Sequence, residues 1–153
     1  MKKTIFAMIF LACALSVFTQ EKKFSAGFGL EFNMDSLYKY AGGISLGFDY
    51  HFPANASIGI NIVGSLNFNK MSSVEPMVYI RGYLPKFFNR GFFAQFDTGM
   101  FVMIDSEEVV PMPLVGIRSG YRLHFGTSFY AEPYARFGYP FAFGFGVIGG
   151  LRF

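Results

Sequence analysis

Acid–base and nucleophilic catalysis need an imidazole or a paired carboxylate within reach of a hydroxyl, thiol or water. This sequence has few such groups. Its 153 residues include two histidines, His51 and His124, and one cysteine, Cys13, inside an apolar N-terminal run. Beyond that run no cysteine remains, which removes disulfide scaffolds and thiolate metal sites. The richer polar set is ionic. Glu31, Asp49, Glu75, Asp97 and Glu132 are matched in number by Arg81, Arg118, Arg122, Arg136 and Arg152. All ten fall on the polar beat of an alternating pattern, where carboxylates and guanidiniums brought face to face form multidentate ion pairs. Asp105, Glu107 and Glu108 make one further acidic group, in which a solvated loop is favoured over a weak divalent-cation contact. The Gly27-Phe28-Gly29 and Gly144-Phe145-Gly146 repeats are strand glycines and not phosphate loops, since no helix follows either.

The elements that must position these charges are strands. From Phe24 onward the chain alternates with period two. Phe24, Ala26, Phe28, Leu30, Phe32 and Met34 oppose Ser25, Gly27, Gly29, Glu31 and Asn33; Ile44, Leu46, Phe48, Tyr50 and Phe52 oppose Gly43, Ser45, Gly47, Asp49 and His51. A third segment sets Ile58, Ile60, Ile62, Leu66 and Phe68 against Ser57, Gly59, Asn61, Ser65 and Asn67, with Val63 and Gly64 departing from the pattern by residue type. Five noisier segments follow, centred near Ile80, Phe96, Ile117, Ala135 and Val147, which makes eight. Each runs about 10 to 13 residues, which suits a tilted strand crossing a bilayer and exceeds the usual soluble strand of about 5 or 6. Turn chemistry separates them at Asp35-Ser36, Pro53-Ala54-Asn55, Asn69 to Ser73, Pro85 to Gly91, Asp105 to Glu108, Gly126-Thr127-Ser128 and Tyr139-Pro140. Pro76, Pro113 and Pro133 each cost a ladder bond, and a bulge is expected at Pro133.

The content of each face decides what it meets. Aromatic residues make up 20% of the chain, with 22 Phe and 18 Gly, and only 15% of residues are charged. One face is almost wholly Phe, Ile, Leu, Val and Ala. Pointed inward, so many Phe would overfill a small barrel; pointed at lipid, they leave Gly, Ser and Asn to pack around the inward Arg and Tyr. Closure also removes unpaired edges that hydrocarbon would not tolerate. Residues 1–20 read as a secretory signal, with Lys2 and Lys3 before the apolar stretch Ile5 to Phe18 and cleavage between Ser16 and Glu21. A lipoprotein reading of Cys13 is disfavoured by its early position and by Phe10. Without Lys2 and Lys3 the chain carries 11 basic against 10 acidic residues, so the high pI gives no reason to expect nucleic acid.

The opening Met1-Lys2-Lys3-Thr4, the strand pattern over roughly Lys23 to Phe153 and the ending Val147-Ile148-Gly149-Gly150-Leu151-Arg152-Phe153 together resemble the small outer-membrane barrels of the OmpA-like and OmpX-like kind. The resemblance implies an all-β, eight-stranded antiparallel up-and-down transmembrane barrel at residues 21–153 in the outer membrane of a diderm bacterium. It implies that Val147, Leu151 and Phe153 form the signal read by the barrel-assembly machinery, with outer-membrane lipid as the other partner. No peptidoglycan-binding domain is expected after the barrel, and Tyr and Phe must form any interfacial girdle because Trp is absent.

Three functions follow from this sequence. A structural or surface-interaction barrel, monomeric and without cofactor or metal, is favoured: eight strands leave little bore, so the inward charges read as a salt-bridged plug in preference to a charged pore lining. A narrow porin-like channel is the alternative. A lipid-modifying enzyme ranks last, because His51 and His124 fall next to the turns after the second and sixth strands. That is the opposite end from Ser36, Ser72 and Ser106, so both histidines read as rim residues.

Overall fold

Alternation places every second side chain of a strand on one face, and an apolar face that wide must either be covered or meet lipid. In the computed structural model, which describes residues 22–35, 39–67, 72–84, 91–104 and 108–153, nine strand segments carry the pattern. They are β1 (Phe24–Asp35), β2 (Lys39–Phe52), β3 (Ala56–Asn67), β4 (Ser72–Tyr83), β5 (Phe92–Ile104), β6 (Val109–Tyr121), β7 (Leu123–Phe125), β8 (Phe129–Tyr139) and β9 (Phe141–Arg152). Residues 1–20, Ser36, Phe68, Lys70, Asp105, Ser106 and Glu107 lie outside the described residues.

Pairing is antiparallel throughout. It runs in sequence order from β1 to β6, continues from β6 to β8 and β9, and returns from β9 to β1. The sheet is therefore closed. Its nine segments make eight staves, because β6 and β7 both pair with β8 in one register: Gly120↔Tyr134 before the break and Leu123↔Ala131 after it. The break lies opposite Pro133, which has no N–H to give. The bulge expected at Pro133 is thus corrected: the residue stays in the ladder as Pro133↔Val147, and its missing donor interrupts the neighbouring stave. The register shift that does occur lies between Met34 and Asp35, opposite Phe141 and Phe143.

A strand as long as the 12-residue β1, tilted at about 45°, covers ~28 Å along the barrel axis, close to the ~30 Å of a hydrocarbon core. The outward belt is apolar and open, with Phe28, Leu30, Ile60, Leu66, Ile80 and Ile117 each more than half exposed. Soluble monomers rarely expose so broad an apolar patch. Aromatic rings edge it. At the end carrying the chain terminus, Phe24 packs on Phe48, Tyr50 and Phe153; toward the other end Phe32 meets Tyr40 and Phe145.

The lumen as candidate functional site

Inward side chains come from all eight staves, and narrowness forces them together. Tyrosine and glycine share the space pairwise across strands: Tyr79 faces Gly59, Tyr134 faces Gly146 and Tyr130 faces Gly150. A Cβ on any of these glycines would collide with the facing ring. Glycine here is a steric requirement of the tyrosine lying over it.

Nine of the ten sequence-selected charges converge in two linked groups. In the half nearer the β1–β2 connection, Arg136 of β8 forks across the lumen to Glu31 of β1 and to Glu75 of β4, the latter at 2.7 Å. Glu31 also accepts from Tyr134 Oη at 2.5 Å and from Asn33 Nδ2 at 2.7 Å. Arg118 lies 3.8 Å from Glu31 and 3.7 Å from Asp97, with its guanidinium over the Tyr134 ring. In the half nearer the chain terminus, Arg81 of β4 donates to Glu132 of β8 at 2.7 Å and sits 3.6 Å from Asp49 of β2. Arg122 donates to the same Glu132 oxygen and reaches Asp49 at 3.4 Å. Gln95 joins the halves, accepting from Arg81 Nε at 2.8 Å and donating to Asp97. All nine charges are buried. Arg152 is placed apart. It stands at the mouth, half-buried, and among the described residues it forms no ion pair.

Several inward residues escaped a reading by residue type. Val63, Met77, Phe101, Leu114 and Phe141 pack into an apolar cluster inside the barrel, and Phe93 and Ile148 pack with Tyr130 and Tyr134, which alternation already places inward, into a second one. Strand parity could have found most of them. Val63 shares the beat of Asn61 and Ser65, Met77 that of Glu75 and Tyr79, and Leu114 that of Gly116 and Arg118. Val63 and Gly64 therefore keep the alternation, Val63 inward and fully buried. Phe141 is the exception to parity, turned inward beyond the register shift at Met34/Asp35. Between the ionic groups a cavity of about 10 Å³ is bordered by Asn61, Arg118, Tyr130 and Glu132. That is the space of roughly one water at most.

His51 and His124 both lie at the end where the Pro53–Asn55 and Gly126–Ser128 turns sit. His51 has a partner that sequence reasoning did not pick out: Ser25 Oγ, 3.0 Å from its Nε2. Ser25 is fully buried and donates to Asp49, while Arg122 Nη1 stands 3.0 Å from the same His51 Nε2. In a Ser-His-Asp triad the carboxylate and the hydroxyl engage opposite ring nitrogens. Here Ser25, Asp49 and Arg122 all face one nitrogen, Asp49 at 3.8 Å, so the cluster is an ion-pair network and not a relay.

No protein-family model and no curated protein matches this chain. Solved structures do. Neisserial surface protein A, NspA, aligns with TM-score 0.57 and 11% identity over 84% of this chain and 94% of its own. A de novo designed transmembrane β-barrel gives 0.56 at 9% identity, over 86% of this chain and all but 2% of the design, 98%. The N-terminal β-barrel domain of Pseudomonas aeruginosa OprF gives 0.53 at 14%, covering 88% of this chain and 100% of that domain. The fold is an eight-stranded transmembrane β-barrel. In a transmembrane barrel the exposed belt of Phe, Ile and Leu is the lipid contact, and the aromatic rings at its edges lie at the interfaces. Closure is completed at the terminus, where Phe24 and Phe153 exchange backbone hydrogen bonds of 2.9 Å each way.

Proposed function

We propose that this chain is an integral outer-membrane barrel, delivered through a cleaved signal at residues 1–20, whose lumen is closed by its Arg–carboxylate network and whose role is structural or in surface interaction. The observation that carries the closed lumen is the ~10 Å³ left at mid-barrel between side chains that are themselves tied across it, Arg136 to Glu31 and Glu75, and Arg81 to Glu132. A non-enzymatic role is favoured by the Ser25–Asp49–His51 geometry, in which Ser25 is fully buried and already donates to Asp49, and Asp49 does not orient the His51 ring from its opposite nitrogen. Its two histidines lie at the end bearing the chain terminus, which is periplasmic when an even number of staves follows an exported N-terminus.

Sidedness and membrane are tested together. An epitope at Glu108 is expected to be detected on intact cells, and one at Asn55 only after permeabilisation, with both variants migrating as folded, heat-modifiable protein in the outer-membrane fraction. Detection at Asn55 alone on intact cells, or recovery of folded protein outside that fraction, overturns the reading.

A further inference from the structure

The barrel is closed in the middle but not at its terminus-bearing mouth. There a cavity of about 520 Å³ opens, lined by Arg122, Arg152, His51, His124, Asn55 and Tyr83, with Phe52 and Ala56 on one wall. This is the size and position of many small-ligand sites, which favour the mouths of barrels. The lining includes two guanidiniums, two imidazoles and a carboxamide, and no carboxylate. The nearest acids, Asp49 and Glu132, lie deeper and are engaged by Arg81 and Arg122. Arg122 Nη1 donates to His51 Nε2, which leaves the ring proton of a neutral His51 on Nδ1. Arg152 is the unspent cation: its Nε is buried and has no hydrogen-bond partner, and no described acid comes within ion-pair distance of it. Lys22 adds positive charge at the same end, held to Thr127 O and Ser128 Oγ at 2.6 Å each.

We propose that this vestibule binds a phosphate-type oxyanion, with Arg152 as the principal charge and the imidazoles of His51 and His124 as hydrogen-bond donors. A guanidinium offers the planar, multidentate donor set that phosphate oxygens accept best. The phosphate comes either from a free phosphate or from a lipid headgroup. A lipid source has a place to put its chains: a shallow apolar depression of about 680 Å³ on the outer face, walled by Ile58, Ile80, Phe96 and Ile117, shares Phe52 and Ala56 with the vestibule rim.

The test follows the Arg152 Nε–H and the His124 ring resonances by NMR in the full barrel, folded in zwitterionic micelles. Inorganic phosphate and short-chain phosphatidic acid are titrated separately, with short-chain phosphatidylcholine as control. A saturable shift with inorganic phosphate assigns a free-phosphate site; a saturable shift with phosphatidic acid alone assigns a headgroup site. In either case Arg152→Gln is expected to weaken binding about tenfold or more, read at His124. His124→Gln, which leaves the closing strand β9 untouched, is expected to weaken it less and serves if Arg152→Gln does not fold. No saturable shift with either probe, or undiminished binding in both variants, overturns the proposal.

Discussion

At the scale of the residue, the lumen depends on each buried charge keeping its partner. An intact buried ion pair contributes little net stability, but removing one member strands the other. Arg136 serves two carboxylates at once, so Arg136→Ala is expected to lower stability in urea unfolding by about 3–5 kcal/mol. Arg152→Ala, which strands no described carboxylate, is expected to change it far less. Equal losses in the two variants would show that Arg136 is not holding the network. These charges were legible in the sequence because a charged residue on one face of an otherwise apolar strand has nowhere to go but inward. Their partners were not. Ser25, Asn33, Gln95 and Tyr134 are ordinary polar residues until closure brings β1, β5 and β8 to one lumen, and pairing across a barrel leaves no spacing in the chain. His51 was read as a rim residue by its place at the end of β2, and only the fold sets it against Ser25 and Arg122.

At the scale of the element, each stave is set by parity, and parity is stricter than residue type. A one-residue slip would exchange lumen and lipid faces along the whole strand, which is why Val63 and Leu114 sit inside despite being apolar. Legibility failed where chemistry was used in place of position, and again at Phe141, where a register shift resets the count. The Tyr–Gly pairs make a sharper test of this packing. Gly146→Ala places a Cβ against the Tyr134 ring that hydrogen-bonds Glu31, and is expected to cost about 1–3 kcal/mol by overpacking. Gly149→Ala, on the lipid face of the same strand with nothing within 4 Å of its new Cβ, is expected to be tolerated. A Gly149 variant as damaged as the Gly146 variant would refute the assignment of faces on β9. The last strand also closes the ring, since Phe153 bonds to Phe24 through both backbone groups. Deleting Phe153 is therefore expected to reduce the heat-modifiable folded fraction recovered from cells, and unchanged assembly at normal expression would count against its role.

At the scale of the whole molecule, the outside of the barrel is solvated by lipid and the inside by its own charges. Hydrophobic residues predominate on both the outer belt and parts of the core, so composition alone could not separate the two. The division of Phe and Ile from Gly, Ser and Arg between opposite faces could, and it carried the fold class. What composition could not supply was the bore, because free volume depends on how Tyr and Arg side chains lie across the lumen. With Arg136 tied to Glu31 and Glu75, Arg81 tied to Glu132, and a cavity of about 10 Å³ between, the proposed plug leaves no continuous water path at mid-barrel. Conductance of the purified wild-type barrel in planar bilayers tests this most directly. The account predicts no stable current step at moderate voltage, whereas a reproducible, ion-selective step would contradict it and make the lumen a channel.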